Sequence, residues 1–174
     1  EKGDVFDGIE AGWSKDDIQT ILDAAEPRGA TEIRLPSGFS RTDIGNADRL
    51  AKRYGHVLRH CREKGWLVWT GTHWGIEKRG ELRNLVEATI KAIVPDEVPL
   101  ADFDEGVELL KWAKGSLSNA RYKAMISCAE AKVPIPALLM DFDRDPWKLN
   151  LLNGTFDLKP DSFCVHRKED MITK

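Results

Sequence analysis

The chain has 174 residues, 41% of them hydrophobic and 32% charged, with a formal net charge of -3. That composition describes one ordinary globular domain, with room for a short appendage, and excludes a disordered chain and a strongly basic, histone-like binder. It leaves open a local basic face, because affinity for nucleic acid follows the charge at the contact surface.

Residues 1–12 are rich in Gly and Asp and read as the end of something else. Ser14 then caps a short helix with Asp16 and Asp17 in its first turn, Ile18, Ile21, Leu22 and Ala25 on one face, and Pro27 and Gly29 stopping it. Pro36, Ser37 and Gly38 continue a linker, so residues 1–40 are read as a separate small element. A second helix is predicted over residues 46–61, capped by Asp43 or Asn46, with Leu50, Tyr54, Val57, Leu58 and Cys61 as its buried stripe and Gly65 after its end. Its other face carries Lys52, Arg53, His56, Arg59, His60 and Arg62.

Alternation from Trp66 to Trp74 predicts a β-hairpin turning near Thr70–Thr72. Further helices are predicted over residues 81–94, ended by Pro95, over 104–114 after an acidic connector, and over 119–131 with Ser118 as cap. Leu149–Leu152 and Thr155–Leu158 are predicted to pair across Asn153-Gly154, a strong short hairpin signal, with residues 164–167 as a third strand. The fold class expected is α+β, predominantly helical, with two small β-hairpins.

Catalytic motifs are sparse. No window fits the Gly-x-x-x-x-Gly-Lys-Ser/Thr loop that wraps phosphates in backbone amides, and no Gly-x-Gly-x-x-Gly is present. Asp141, Asp143 and Asp145 could gather a cation, but a calcium loop would need Gly and an acid where Pro146 and Leu152 stand, so an acidic turn is the simpler reading. A metal-dependent phosphodiesterase using these aspartates is the rival that this reading sets aside. His56 and His60 lack the Glu of a zinc-protease motif and lie among arginines, which favours a basic face over a metal site. The three cysteines, Cys61, Cys128 and Cys164, form no Cys-x-x-Cys and suit reduced thiols in a cytoplasmic protein. No apolar run approaches the ~18 residues of a membrane span. The chain opens on Glu1 and closes on Lys174 just after an apparent strand, and is read as a piece of a longer polypeptide.

The basic face is the better functional candidate. Lys52, Arg53, Arg59 and Arg62, with Lys64 nearby, are expected to touch phosphates, and Lys111, Lys114, Arg121 and Lys123 offer a second patch. Trp66, Trp69 and Trp74 are weighed between core and base stacking, with core the more common fate and Trp74 the ring expected to be exposed for stacking.

Several further segments carry a resemblance. Thr42-Asp43-Ile44-Gly45-Asn46-Ala47-Asp48-Arg49-Leu50, then Trp66-Leu67-Val68-Trp69 with Gly71 and Trp74, then Phe142-Asp143 with Pro146, then Leu149-Asn150 with Asn153 to Leu158 and His166, occur in that order. Over about residues 43–173 the chain resembles the accessory domain that precedes the superfamily-three helicase domain in poxvirus and phage primase–helicases. Lys2 to Asp7 with Glu10 to Gly12 resembles the tail of a topoisomerase–primase-type domain. The resemblance implies residues 1–40 as tail or linker and 41–174 as a linker or collar domain. It implies a non-catalytic part of a phage, prophage or mobile-element DNA primase–helicase, which joins primase to helicase within a ring-forming parent. ATP and magnesium would act in the other domains, with no cofactor or metal here, and DNA and the neighbouring domains would be the partners. An oligomerisation module without DNA contact is the alternative.

Overall fold

The computed structural model describes residues 38–174. The expected first helix and the 1–40 tail lie outside the described residues, apart from residues 38–40. Four α-helices and two three-stranded antiparallel sheets make up the described part, an α+β fold as expected.

Helix α1 spans Asp43–Tyr54. It begins at Thr42, whose hydroxyl accepts from Gly45 N at 3.0 Å, and closes on Gly55, whose N–H reaches Ala51 O. The predicted continuation to residue 61 is not helical. Leu58–Cys61 instead forms strand β1, paired with β2 (Gly65–Trp69) from Leu58 opposite Val68 to Cys61 opposite Gly65. A distant segment holds its other edge: His60 N donates to Ile135 O at 2.8 Å, and Ala137 N to His60 O at 2.9 Å. The apparent helical stripe thus joins two elements, with Leu50 and Leu58 buried in one cluster and Cys61 in another. Gly65 does not terminate a helix; it opens β2 with φ +74°, a conformation that suits glycine.

The predicted hairpin is present between β2 and β3 (Trp74–Ile76), with Trp69 opposite Trp74 and Thr70 N donating to His73 O across the turn. Helices α2 (Glu81–Glu97), α3 (Phe103–Ser116) and α4 (Asn119–Ala129) follow close to their predicted positions. Asp102 and the expected Ser118 cap α3 and α4. Pro95 does not stop α2. It sits exposed in the last turn, where Asp96 and Glu97 are buried and held by arginines of α1. Leu50, Leu58, Val86, Ile90, Met125 and Ile135 form the main core among α1, α2, α4 and the first sheet. Ile93, Val98, Leu109 and Leu110 seal α2 against α3, while Cys61, Leu67, Trp74 and Phe142 fill a third cluster beneath the first sheet.

Strands β4 (Lys148–Leu151), β5 (Gly154–Asp157) and β6 (Ser162–Cys164) form the second sheet. The hairpin register differs from expectation. Leu151 faces Gly154, so Leu152 and Asn153 make the turn and Gly154 opens the strand. Gly154 is needed for close approach: a Cβ there would meet the Phe163 ring and stand 2.5 Å from Cys164 O. Gly154→Ala should therefore destabilise the fold by about 1–3 kcal/mol through overpacking, read as a lower urea midpoint at unchanged slope. An unshifted midpoint would show that the third strand can move aside.

Candidate nucleic-acid interface

The structure disperses the expected basic face. Lys52 is exposed on α1 and Arg62 is exposed in the β1–β2 turn. Arg53 is committed to Asp96, an ion pair whose side chains are 15% and 9% exposed. Arg59 belongs to β1 and not to a helix; it donates from Nη1 to Gly55 O and Leu58 O, both at 2.7 Å, and lies 4.7 Å over the Trp74 ring. Burial lowers the Arg59 guanidinium from its ordinary pKa, and Glu169 opposes that shift. Acids of α2, distant in sequence, and the backbone of the α1–β1 turn explain why a face read as one stripe is partly consumed in packing.

Trp74 is the clearest correction. It is fully buried, donates from Nε1 to Lys168 O at 2.8 Å and tilts against Trp69 at 5.7 Å. Trp66 and Trp69 are the partly exposed rings. A ring that joins the first sheet to residue 168 offers no face to a base. In the second patch, Lys111 pairs with Glu108, and Arg121 pairs with Asp43 while lying 4.6 Å over Trp112.

His56 follows the end of α1 and His60 lies on β1, so they share no helix face. Burial, and then Lys168, lowers the His56 pKa. The three aspartates serve their own turns. Asp141 accepts from Leu138 N, Asp143 from Thr173 N at 2.8 Å and from the Thr173 hydroxyl, and Asp145 from Trp147 N.

Two of the residues that carried the resemblance, Asn46 and Arg49, prove to centre a buried polar junction. Arg49 is 0% exposed, and each of its five N–H groups has an acceptor. Nε and Nη2 grip the two Glu97 oxygens, both at 2.6 Å; Nη1 reaches Ser40 O and Asn46 Oδ1; the second Nη2 hydrogen reaches Phe39 O. Asn46 donates to Ser116 Oγ and accepts from Trp112 Nε1, which ties α1 to α3 as Glu97 ties it to α2. Sequence reading missed Arg49 and Glu97. The available signal was an arginine at position 49 beside Leu50 and three residues from Asn46, on the face that turns inward.

The family model described as D5 N terminal like matches residues 47–174. The chain belongs to this family. Comparisons with curated proteins and with solved structures gave no match. Domains of this family are found in phage and poxvirus D5-type primase–helicases, where they are non-catalytic.

Two surfaces of this D5 N terminal like domain stand out. The first is the outer face of the second sheet. Directly opposed residues in a ladder share a face, and Leu149, Phe156 and Phe163 are opposed in turn across β4, β5 and β6. Leu149 and Leu151 are 45% and 46% exposed, Phe163 is 52% and Val165, two residues on, is 75%. The opposite face carries Asn150, the buried Thr155 and Cys164, and is directed at the body. An antiparallel sheet with one wet face usually turns its apolar residues inward; this one turns them out.

The second surface is charged. A cleft of about 700 Å³ lies beside Arg59, Arg144, Lys148 and Lys159, but Asp141, Asp145, Glu169 and Asp170 line it equally, so its charge is balanced. A smaller groove of about 490 Å³ along β3 is lined by Lys64, Lys78 and Arg79 against a single carboxylate, Glu81. Lys78 and Arg79 escaped the sequence reading because they belong to no amphipathic stripe.

Proposed function

We propose that this D5 N terminal like domain is a coupling module, joining the primase part of a primase–helicase to its ATP-driven helicase part and guiding DNA between them. The observation that carries the reading is the outward apolar face of the second sheet. Covering apolar surface returns roughly 25 cal/mol per Å², and a patch on the order of a few hundred Å² is the kind that marks an interaction site. A free partner held in a stable complex buries about 800 Å² on each side, more than such a patch supplies. A tethered neighbour, present at an effective concentration of about millimolar, needs less. The occupant is therefore an adjoining domain of the same polypeptide. ATP and magnesium act in the helicase part, the setting is the cytoplasm, and ring assembly belongs to the whole protein.

Hydrogen exchange tests this. The backbone of β4–β6 should exchange more slowly in a polypeptide that also carries the flanking domains than in the present chain, and a Leu151→Lys/Phe163→Lys variant should abolish the difference. Equal exchange in both would remove the coupling reading. Protection that instead rises with concentration of the present chain alone would favour the oligomerisation module.

A further inference from the structure

The β2–β3 ladder ends with Leu67 opposite Ile76, one further bond runs from Glu77 N to Trp66 O, and just beyond it Lys64, Lys78 and Arg79 line the same groove. Residues fourteen or more apart in sequence thus bring three cations to one end of the first sheet. None of the three has an ion-pair partner among the described residues. Of the nearby carboxylates, Glu63 accepts from Cys61 Sγ and Glu77 from Gly80 N, while Glu81 accepts from Arg79 N and remains beside that cation as the groove's one acid. Lys78 and Arg79 also sit immediately before the N-terminus of α2, where the helix dipole disfavours cations. Their placement therefore does not serve the helix.

On the groove's other wall, His73 Nδ1 is within hydrogen-bonding distance of the Thr70 and Thr72 hydroxyls at 3.1 and 2.9 Å. That fixes the ring and leaves Nε2 without a partner among the described residues. Ile76, 48% exposed, adds an apolar shoulder.

We infer that this groove takes the sugar–phosphate backbone of single-stranded nucleic acid, with Lys64, Lys78 and Arg79 on successive phosphates and His73 as a further donor. The cations are confined to one end of a sheet, which suits one strand; a duplex presents phosphates on both sides of a major groove ~12 Å wide. The choice of nucleic acid among polyanions rests on the primase–helicase reading, while the groove and its charges stand apart from it.

The test is fluorescence anisotropy of a labelled oligothymidylate, and of a duplex of equal length, with this chain across a salt series. Each phosphate contact on a single strand contributes about 0.7 to the slope of log K against log salt. Lys78→Ala/Arg79→Ala should therefore flatten the slope by about 1.4 and weaken binding about tenfold at low salt. The charge-matched Arg144→Ala/Lys159→Ala variant, in the balanced cleft, should leave both unchanged. Equal losses in the two variants, tighter binding to the duplex, or no binding by the parent chain at low salt would each overturn the inference. Since the exchange experiment above reads a different sheet, failure here leaves the coupling reading intact, and failure there leaves the groove intact.

Discussion

Arg49→Ala is expected to destabilise the fold by about 3–5 kcal/mol, the cost of breaking a buried ion pair from one side. The Arg49 and Glu97 side chains are 0% and 3% exposed, and their two contacts are each 2.6 Å. Removing the guanidinium leaves the Glu97 carboxylate and the carbonyls of Phe39 and Ser40 without their Arg49 donors, while Asn46 Oδ1 keeps only Trp112 Nε1. Arg49→Lys keeps the charge but loses the fork, so it should lie between the parent and the Ala variant. Arg49→Met/Glu97→Met, which removes both charges and keeps the volume, should recover much of the loss. Urea denaturation followed by tryptophan fluorescence reads all three. An Arg49→Ala midpoint close to that of the parent would show that the junction between α1 and α2 is held by apolar packing alone.

Trp74→Ala should cost a similar ~3–5 kcal/mol. Trp74 touches the cluster of Cys61, Leu67 and Phe142, supports the Arg59 guanidinium on its face and fastens residue 168 through Nε1. Trp74→Phe keeps a ring but strands Lys168 O, so it should lose about 1–2 kcal/mol beyond its volume change. The two variants also discriminate between core and base stacking. A stacking ring would alter affinity for single strands with stability intact; a core ring alters stability, and affinity measured on the folded fraction stays the same. A stable Trp74→Ala protein that had lost only its nucleic-acid affinity would contradict the burial described above.

Local chemistry made much of this fold legible. Ser118 at the start of α4, the alternation around Trp66–Trp74 and the Leu-Asn-Leu-Leu-Asn-Gly hairpin each carry their signal within a few residues. What escaped was decided by distant partners. Whether Leu58–Cys61 is helix or strand depends on β2 and on Ile135 and Ala137, which no window around residue 60 contains. Arg53 and Arg49 look like solvated cations until Asp96 and Glu97 are brought against them by α2. The alternation of Lys148–Leu151 shows that one face is apolar but not that this face points outward, because the inward choice is made by Lys148 pairing with Asp170. Of the candidate interface residues, Lys52 and Arg62 are exposed, and the cations of the groove became visible only once the fold placed Lys64 in one groove with Lys78 and Arg79.

Residues 168–173 bind both sheets: Lys168 O and Ile172 O accept from Trp74 of the first, while Asp170 pairs with Lys148 of the second. The Trp74–Lys168 bond spans 94 positions of sequence, whereas each sheet is built from neighbouring strands joined by short turns. Closing a loop of that length carries an entropy cost that must be met before its contacts form. The sheets and helices are therefore expected to condense first, with the strap locking afterwards. Substitutions in the strap would then hasten unfolding while leaving the folding rate nearly untouched, which makes this short segment a setting for the lifetime of the folded domain more than for its formation.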